Sequence, residues 1–173
     1  MATYTLISSN VLSSAAASVT FSSIPATFTD LVLRISARSS TFQTAVDVTF
    51  NGDTPASGTS YSFISLRGNG SAASSNFTAS TSSVNVVGGQ AQSNYTTNTF
   101  SNFEFYIPNY NSTSNKPVSS FTAAENNNAT TWFINTVAGL YRNATALTSI
   151  LLTPTSGNFA STSSFYLYGI SNA

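Results

Sequence analysis

The chain contains no cysteine and no histidine. Without cysteine it forms no disulfide, no zinc–thiolate site and no thiolate nucleophile. Its sequence therefore carries no information on the redox state of its compartment. Without histidine, a Ser-His-Asp triad, a histidine-bound metal and a histidine general base are all excluded. Most of the common catalytic and metal-binding arrangements are therefore closed to this sequence.

Charged residues are also scarce, at 6% of the 173 residues against ~25% in an average soluble protein. Five basic residues balance five acidic ones, so the net charge is zero. So few cations cannot neutralise the many phosphates of a nucleic-acid interface, and we expect no nucleic-acid partner. A net charge near zero gives little repulsion between copies, which favours a protein that is held in an assembly.

Long apolar runs are missing as well. None approaches the ~18 residues needed to span a bilayer, and the start, MATYTLISSN, lacks the basic and apolar regions of a signal peptide. We therefore expect no membrane partner, and synthesis in a cytoplasm without export. A virus particle assembled there and released by lysis also fits these absences.

Serine and threonine take the place of charge, with 32 and 25 residues. Such a composition could belong to a disordered linker, but disordered chains are poor in aromatic residues. This chain has 13 Phe and 8 Tyr spread along its length. We therefore expect it to fold, as one domain covering residues 1–173.

Apolar and hydroxyl residues alternate with a period of two, which is typical of β-strands. The predicted strands are 4–12, 18–22, 31–36, 46–50, 61–67, 84–87, 99–107, 118–124, 132–141, 147–152 and 165–170. Residues 71–82 are predicted as a polar loop, and residues 134–147 are the most helix-tolerant. Because no segment keeps a 3.6-residue apolar period, little helix is expected.

The predicted fold is an all-β, antiparallel, jelly-roll-like β-sandwich of about 8–11 strands. An immunoglobulin-like domain would take only ~100 residues and seven to nine strands, so the jelly roll suits this length better.

The acidic residues offer the only route to acid–base catalysis, since a glycosidase needs two carboxyl groups ~5 to 9.5 Å apart. They are Asp30, Asp47, Asp53, Glu104 and Glu125. Asp30 and Asp53 have the context of turn residues, and Asp47 is expected to pair with Arg34 or Arg38 across strands. Glu104 alternates outward on an aromatic strand, and only for Glu125, in a loop, does the sequence suggest no structural role. We therefore expect no enzymatic activity and no cofactor.

The run 51–53, Asn-Gly-Asp, raises the question of calcium. It supplies two side-chain oxygens where a calcium site uses six or more ligands. Asn and Gly accept positive φ, so the run is interpreted as a tight turn, and no metal site is predicted.

Six tyrosines could form a stacking platform for sugars: Tyr61, Tyr95, Tyr106, Tyr110, Tyr166 and Tyr168. Tyrosine also suits strands and protein interfaces, because its ring is apolar and its hydroxyl polar. Both interpretations stay open at this point.

Three blocks of the sequence resemble a group of small structural proteins of tailed bacteriophages, especially phages of cyanobacteria and marine bacteria. They are residues 19–39 (VTFSSIPATFTDLVLRISARS), residues 48–70 with VTFNGD and YSFISLRGNG, and residues 137–170 with VAGLYRNATALTSILLTP and FYLYGI. Each block alone is only strand and turn, and the specificity lies in their combination. Residues 78–128 carry no such resemblance.

The resemblance implies a virion protein without enzymatic activity, on the capsid or in a tail appendage. The chain is short and lacks a repetitive shaft or heptads, which favours a decoration or cement protein that bridges subunits of the major capsid protein, as a trimer at a threefold position. The candidate interface residues are Arg34, Arg38, Tyr106, Tyr110, Tyr166 and Tyr168. The alternative is a tail module that binds host glycans through exposed tyrosines and loops 74–83 or 109–115.

Overall fold

The structure, a computed structural model, describes residues 1–42, 45–56, 58–87, 91–125 and 133–171. None of these residues is helical, and they form twelve strands. The strands are β1 (Thr3–Val11), β2 (Val19–Phe21), β3 (Asp30–Ala37), β4 (Ala45–Phe50), β5 (Tyr61–Gly68), β6 (Ala73–Thr81), β7 (Val84–Val87), β8 (Ser101–Ile107), β9 (Lys116–Ala124), β10 (Phe133–Tyr141), β11 (Ile150–Pro154) and β12 (Ser164–Ser171). With no helix in this part of the chain, none of it provides a helix that could cross a membrane.

The strands form two antiparallel sheets, so the prediction of an all-β sandwich is confirmed. The larger sheet has the order β1-β12-β3-β8-β9-β10-β5-β6, and the smaller has the order β2-β11-β4-β7. The predicted loop 71–82 is wrong, because most of it forms β6. The helix-tolerant stretch 134–147 begins as strand β10. Trp132, predicted to start that strand, lies outside the described residues.

Eight strands pair in a nested order that identifies the jelly roll. The first pairs with the last (β1 with β12), and inside this pair lie β2 with β11, β3 with β8 and β4 with β7. A long two-stranded ribbon that folds over itself across two facing sheets produces this nesting. The pairs β12–β3 and β11–β4 then join the ribbon into sheets.

The other four strands extend the larger sheet beyond β8, in the order β9-β10-β5-β6. We call these four strands the extension. Of the smaller sheet, β7 has its backbone nearest the extension, and Phe50 of β4 packs on the extension through its ring. The extension therefore reaches past the strands of the smaller sheet.

A cluster of aromatic rings fills the core where the extension joins the jelly roll. Tyr61 stacks on Tyr141 at a centroid distance of 4.8 Å, and Phe50 lies 5.2 Å from Tyr141 and 6.4 Å from Phe105. The hydroxyl of Tyr61 accepts from the backbone N–H of Phe50 at 2.9 Å and donates to Asp53 Oδ2 at 2.9 Å. Tyr61 is fully buried, so of the two interpretations the exposed sugar platform does not hold for it.

Gly169 in β12 provides the contact surface for Phe28. A Cβ at position 169 would lie 2.2 Å from Phe28 Cγ, well inside van der Waals contact. We expect Gly169→Ala to displace the ring and lower the free energy of unfolding by about 1–3 kcal/mol, measured by urea denaturation. Gly68→Ala is the matched control, because nothing lies within 4 Å of its Cβ position. Equal losses for the two variants would contradict the packing explanation.

Burial raises the pKa of several tyrosines, which predicts alkaline instability. They are Tyr61, Tyr95, Tyr106, Tyr110 and Tyr141. A pKa raised in the folded state stabilises the protein below the unfolded pKa of 10.0, and this contribution is lost as pH rises through the folded pKa. Burial lowers the pKa of Lys116, which acts in the opposite sense, but it is one group against five.

We therefore expect the melting temperature at pH 11 to lie about 10 °C below its value at pH 8. Tyrosinate absorbance at high pH should develop together with unfolding. A melting temperature that stays constant between these pH values would contradict the prediction.

Candidate functional site

The outward face of the extension carries large apolar side chains in solvent. Each is between 52% and 66% exposed: Ile64, Leu66, Phe77, Phe121 and Ile134. Strand pairing brings them together, since Ile64 lies opposite Phe77, and Thr136 lies between Phe121 and Leu66. Apolar side chains on adjacent strands form a continuous patch, and such patches in soluble proteins mark interaction sites.

Polar residues occupy the opposite, inward face of the same strand segments, 64–67, 120–123 and 134–136. We call these three segments the inverted region, because they turn apolar residues outward and polar ones inward. The inward residues are Ser65, Arg67, Ser120, Thr122 and Asn135, and all except Arg67 are buried.

The core explains why the inversion is stable. Tyr61 and Phe63 in β5, Val118 in β9, and Val137 and Tyr141 in β10 are buried core residues on the inward face. Because side chains alternate along a strand, fixing these residues inward also fixes the faces of the inverted region. A slip of one residue would correct the inverted region but would move the core set into solvent.

The outward face continues over the rest of the larger sheet as a weakly charged, aromatic surface. One row across it contains Leu6, Tyr168, Val32 and Tyr106 in neighbouring strands. The exposed charges on this side, Arg34 and Glu104, pair with each other at 3.1 Å. This is the one salt bridge among the described residues, and it leaves the face close to electrically neutral.

The structure brings four of the six candidate interface residues to this outward face. Arg34, Tyr106, Tyr166 and Tyr168 lie there, on three adjacent strands. Tyr106 donates to Asp30 Oδ2 at 2.9 Å, and burial, followed by this hydrogen bond, raises its pKa. Asp30 itself is buried.

The other two candidate residues have structural roles. The guanidinium of Arg38 donates to the carbonyls of Ser93, Tyr95, Thr96 and Thr99 at 2.9–3.3 Å, which holds the 93–99 loop. Tyr110 is fully buried, and its hydroxyl donates to the carbonyl of Pro25.

The predicted pairing of Asp47 with Arg34 or Arg38 is wrong. Asp47 Oδ1 accepts from Ser83 Oγ at 2.7 Å and from Asn85 Nδ2 at 2.9 Å. The reason is topological. Although β3 and β4 follow each other in the chain, they belong to different sheets.

Both segments predicted as glycan-binding loops are held in place. Residues 74–83 lie mostly in β6. Residues 109–115 are fixed from two sides. The Nζ of Lys116, the fully buried first residue of β9, donates to the carbonyls of Ser112 and Ser114, and Asn111 Nδ2 donates to Ala26 O at 3.0 Å. Of the six tyrosines, Tyr61, Tyr95 and Tyr110 are buried, so a platform of six is wrong.

The predicted turn at 51–53 is confirmed, since Asn51 and Gly52 have φ of 53° and 85°. Asn51 Oδ1 accepts from Thr148 N at 2.8 Å, which links this turn to the 145–148 segment. Among the residues that the structure describes, no three Asp or Glu side chains are grouped closely enough to hold a metal ion.

A polar cavity of about 180 Å³ lies on the inward side of the inverted region. It is lined by Ser65, Arg67, Ser74, Ser75, Asn76 and Asn135. Asn135 is fully buried, and neither Oδ1 nor Nδ2 has a hydrogen-bond partner. Ser120 Oγ, Thr122 Oγ1 and the hydroxyl of Tyr95 are buried without a partner as well. Burial raises the pKa of Tyr95 to about 12, against the opposing effect of Arg67.

Such atoms are costly. A buried polar atom without a partner costs about 1–3 kcal/mol, and native proteins contain only a few of them. Four of these five atoms lie in the inverted region, which marks it as the unusual part of the molecule. Sequence reasoning missed both sides of it. The sequence did carry a signal for it. In YSFISL, Tyr61 and Phe63 lie on one face of the strand and Ile64 and Leu66 on the other, so both faces carry apolar residues.

Comparison with known proteins returned no match: no family model, no curated protein and no solved structure is significantly similar to the chain. What the protein does must therefore be inferred from the outward apolar face and the polar cavity.

Proposed function

We propose that the protein is a non-enzymatic structural protein of a virus particle, a decoration or cement protein that binds the capsid and bridges neighbouring subunits of the major capsid protein. The observation that carries the proposal is the outward face of the larger sheet, where Ile64, Leu66, Phe77, Phe121 and Ile134 stand in solvent. The resemblance of three sequence blocks to phage structural proteins supports a phage particle as the assembly.

The outward face is large enough for such a contact. Eight strands at ~4.8 Å spacing, each with about seven residues at ~3.3 Å, give roughly 900 Å². A standard protein interface takes ~800 Å² from each partner. A depression of about 400 Å³, lined in part by Arg34, Glu104 and Phe121, lies within the face and can receive a side chain of the partner.

The chemistry of the face suits a permanent contact. Its exposed charges are already paired with each other, so docking leaves no single charge buried without a partner. Serine, threonine and asparagine around the apolar patch form hydrogen bonds while losing less side-chain entropy than lysine or glutamate would. Three copies around a threefold position would each present this face to the capsid.

The alternative function is a tail appendage module that recognises host-surface glycans. The observation in its favour is the polar cavity, because small ligands bind in concave sites with a few convergent polar groups.

A cryo-EM map of the particle that contains this protein tests the proposal. We expect density for the jelly roll on the capsid, with the larger sheet facing the capsid subunits, and grouped as trimers. Particles without the protein should rupture at a lower temperature or after osmotic shock. A map that places the protein only on the tail would overturn the capsid proposal.

A further inference from the structure

The cavity on the inward side of the inverted region has the properties of a ligand site. Asn135 is one of its lining residues; it is fully buried, and both amide atoms lack a partner. Thr122 and Arg67 lie directly opposite Asn135 on the two neighbouring strands, so the three side chains share one row. Thr122 Oγ1 also lacks a partner. A row of buried donors and acceptors beside a cavity is what a polar ligand would satisfy.

Arg67 determines the charge of that ligand. Its guanidinium carbon lies 5.0 Å from the centre of the Phe133 ring, which holds the side chain by a cation–π contact. It makes no hydrogen bond or ion pair with any residue in the described part of the chain, so its donors remain available. A guanidinium offers a planar pair of donors that matches an oxyanion such as a carboxylate.

The other lining residues indicate the hydroxyl groups and the size of the ligand. On the inward face, Ser65 and Ser74 have hydroxyls, and Asn76 and Asn135 have amides. All of these side chains both donate and accept, which suits the hydroxyl groups of a sugar. The volume of about 180 Å³ corresponds to roughly six waters at ~30 Å³ each, well below the ~300–1,000 Å³ of a drug-sized site. One small ring fits this volume.

We propose that this cavity binds a small hydroxylated ligand with one carboxylate, of the type of a single uronic-acid unit from an acidic polysaccharide. The carboxylate pairs with Arg67, and the ring hydroxyls bond to Asn135 and to Ser74 and Asn76 of β6, which lie opposite Arg67 and Ser65 on the inward face. The site lies on the face of the sheet opposite the proposed capsid contact, so a capsid-bound protein would keep it accessible.

Isothermal titration of the purified full-length protein with sodium glucuronate tests the inference, with glucose and acetate as matched probes. Glucuronate is expected to bind at least tenfold more tightly than either probe, because glucose lacks the carboxylate and acetate lacks the ring hydroxyls. No binding up to about 10 mM glucuronate, or equal affinity for all three probes, would overturn it.

Two variants locate the site. Arg67→Met and Asn135→Leu are each expected to weaken glucuronate binding by roughly tenfold or more. Asn135→Leu should also raise the melting temperature, because it removes the unpartnered amide. Arg34→Met, on the other face of the sheet, is the control and should bind glucuronate as the wild type does. If Arg34→Met weakens binding and Arg67→Met does not, the inference fails, whatever the location of the protein in a particle.

Discussion

Replacing Ile64 and Leu66 together by threonine is expected to weaken the proposed capsid binding by roughly a hundredfold, since each apolar side chain contributes on the order of 1.5–3 kcal/mol when it moves from water into an interface. Both side chains are more than half exposed in the free protein. Threonine is β-branched, a shape that strands favour. The fold should therefore stay intact, and the melting temperature should stay within a few degrees of wild type. Co-sedimentation with particles that lack the protein measures the loss.

Phe42→Thr is the matched control for this pair. Phe42 is 52% exposed, like the residues of the patch, but it lies before β4 and outside the larger sheet. It should leave capsid binding unchanged. If Phe42→Thr abolishes binding while the Ile64/Leu66 variant binds normally, the contact lies elsewhere on the molecule.

The inverted region shows how far the sequence could lead. Alternation alone places Phe103, Phe105 and Ile107 on one side of β8, and the structure buries all three. Strand β5 has apolar residues on both of its faces, so alternation does not predict which face enters the core. That choice depends on how β5 pairs with β10 and packs near Phe50, which are contacts between distant parts of the chain.

Strand β6 was missed for a different reason. Its sequence, ASSNFTAST, has no alternating apolar set, and most of its residues are exposed. It is a strand because its backbone pairs with β5, an edge position that needs no core-facing side chains. The serine-rich composition that predicted a loop therefore describes an edge strand that also lines the polar cavity.

The contacts of the charged residues also depended on topology. Arg34 meets Glu104 because β3 pairs with β8, about 70 residues further along the chain. Sequence proximity suggested Asp47 as its partner, but the ribbon folds so that consecutive strands enter opposite sheets. In a jelly roll, nearness in sequence is a poor guide to nearness in space.

Tyr61→Ala is expected to cause the largest loss of stability among the variants considered, about 4 kcal/mol. The substitution removes a fully buried ring that stacks on Tyr141 and touches Phe50. It also leaves the N–H of Phe50 without its acceptor. A loss of this size is a large part of the ~5–15 kcal/mol that stabilises a typical domain, so partial unfolding at 37 °C should follow. Urea denaturation measures it.

Tyr61→Phe separates packing from hydrogen bonding in the same place. It keeps the ring but removes the hydroxyl that joins the Phe50 N–H to Asp53, so the expected loss is about 1–2 kcal/mol. Tyr4→Ala, at a tyrosine that is 56% exposed, should change stability by about 0.5 kcal/mol or less. If Tyr61→Phe were as destabilising as Tyr61→Ala, the hydroxyl network would hold this corner of the sandwich together. If Tyr61→Phe instead costs less stability than Tyr61→Ala, as expected, the stacked rings hold this corner together. These rings join the extension to the jelly roll.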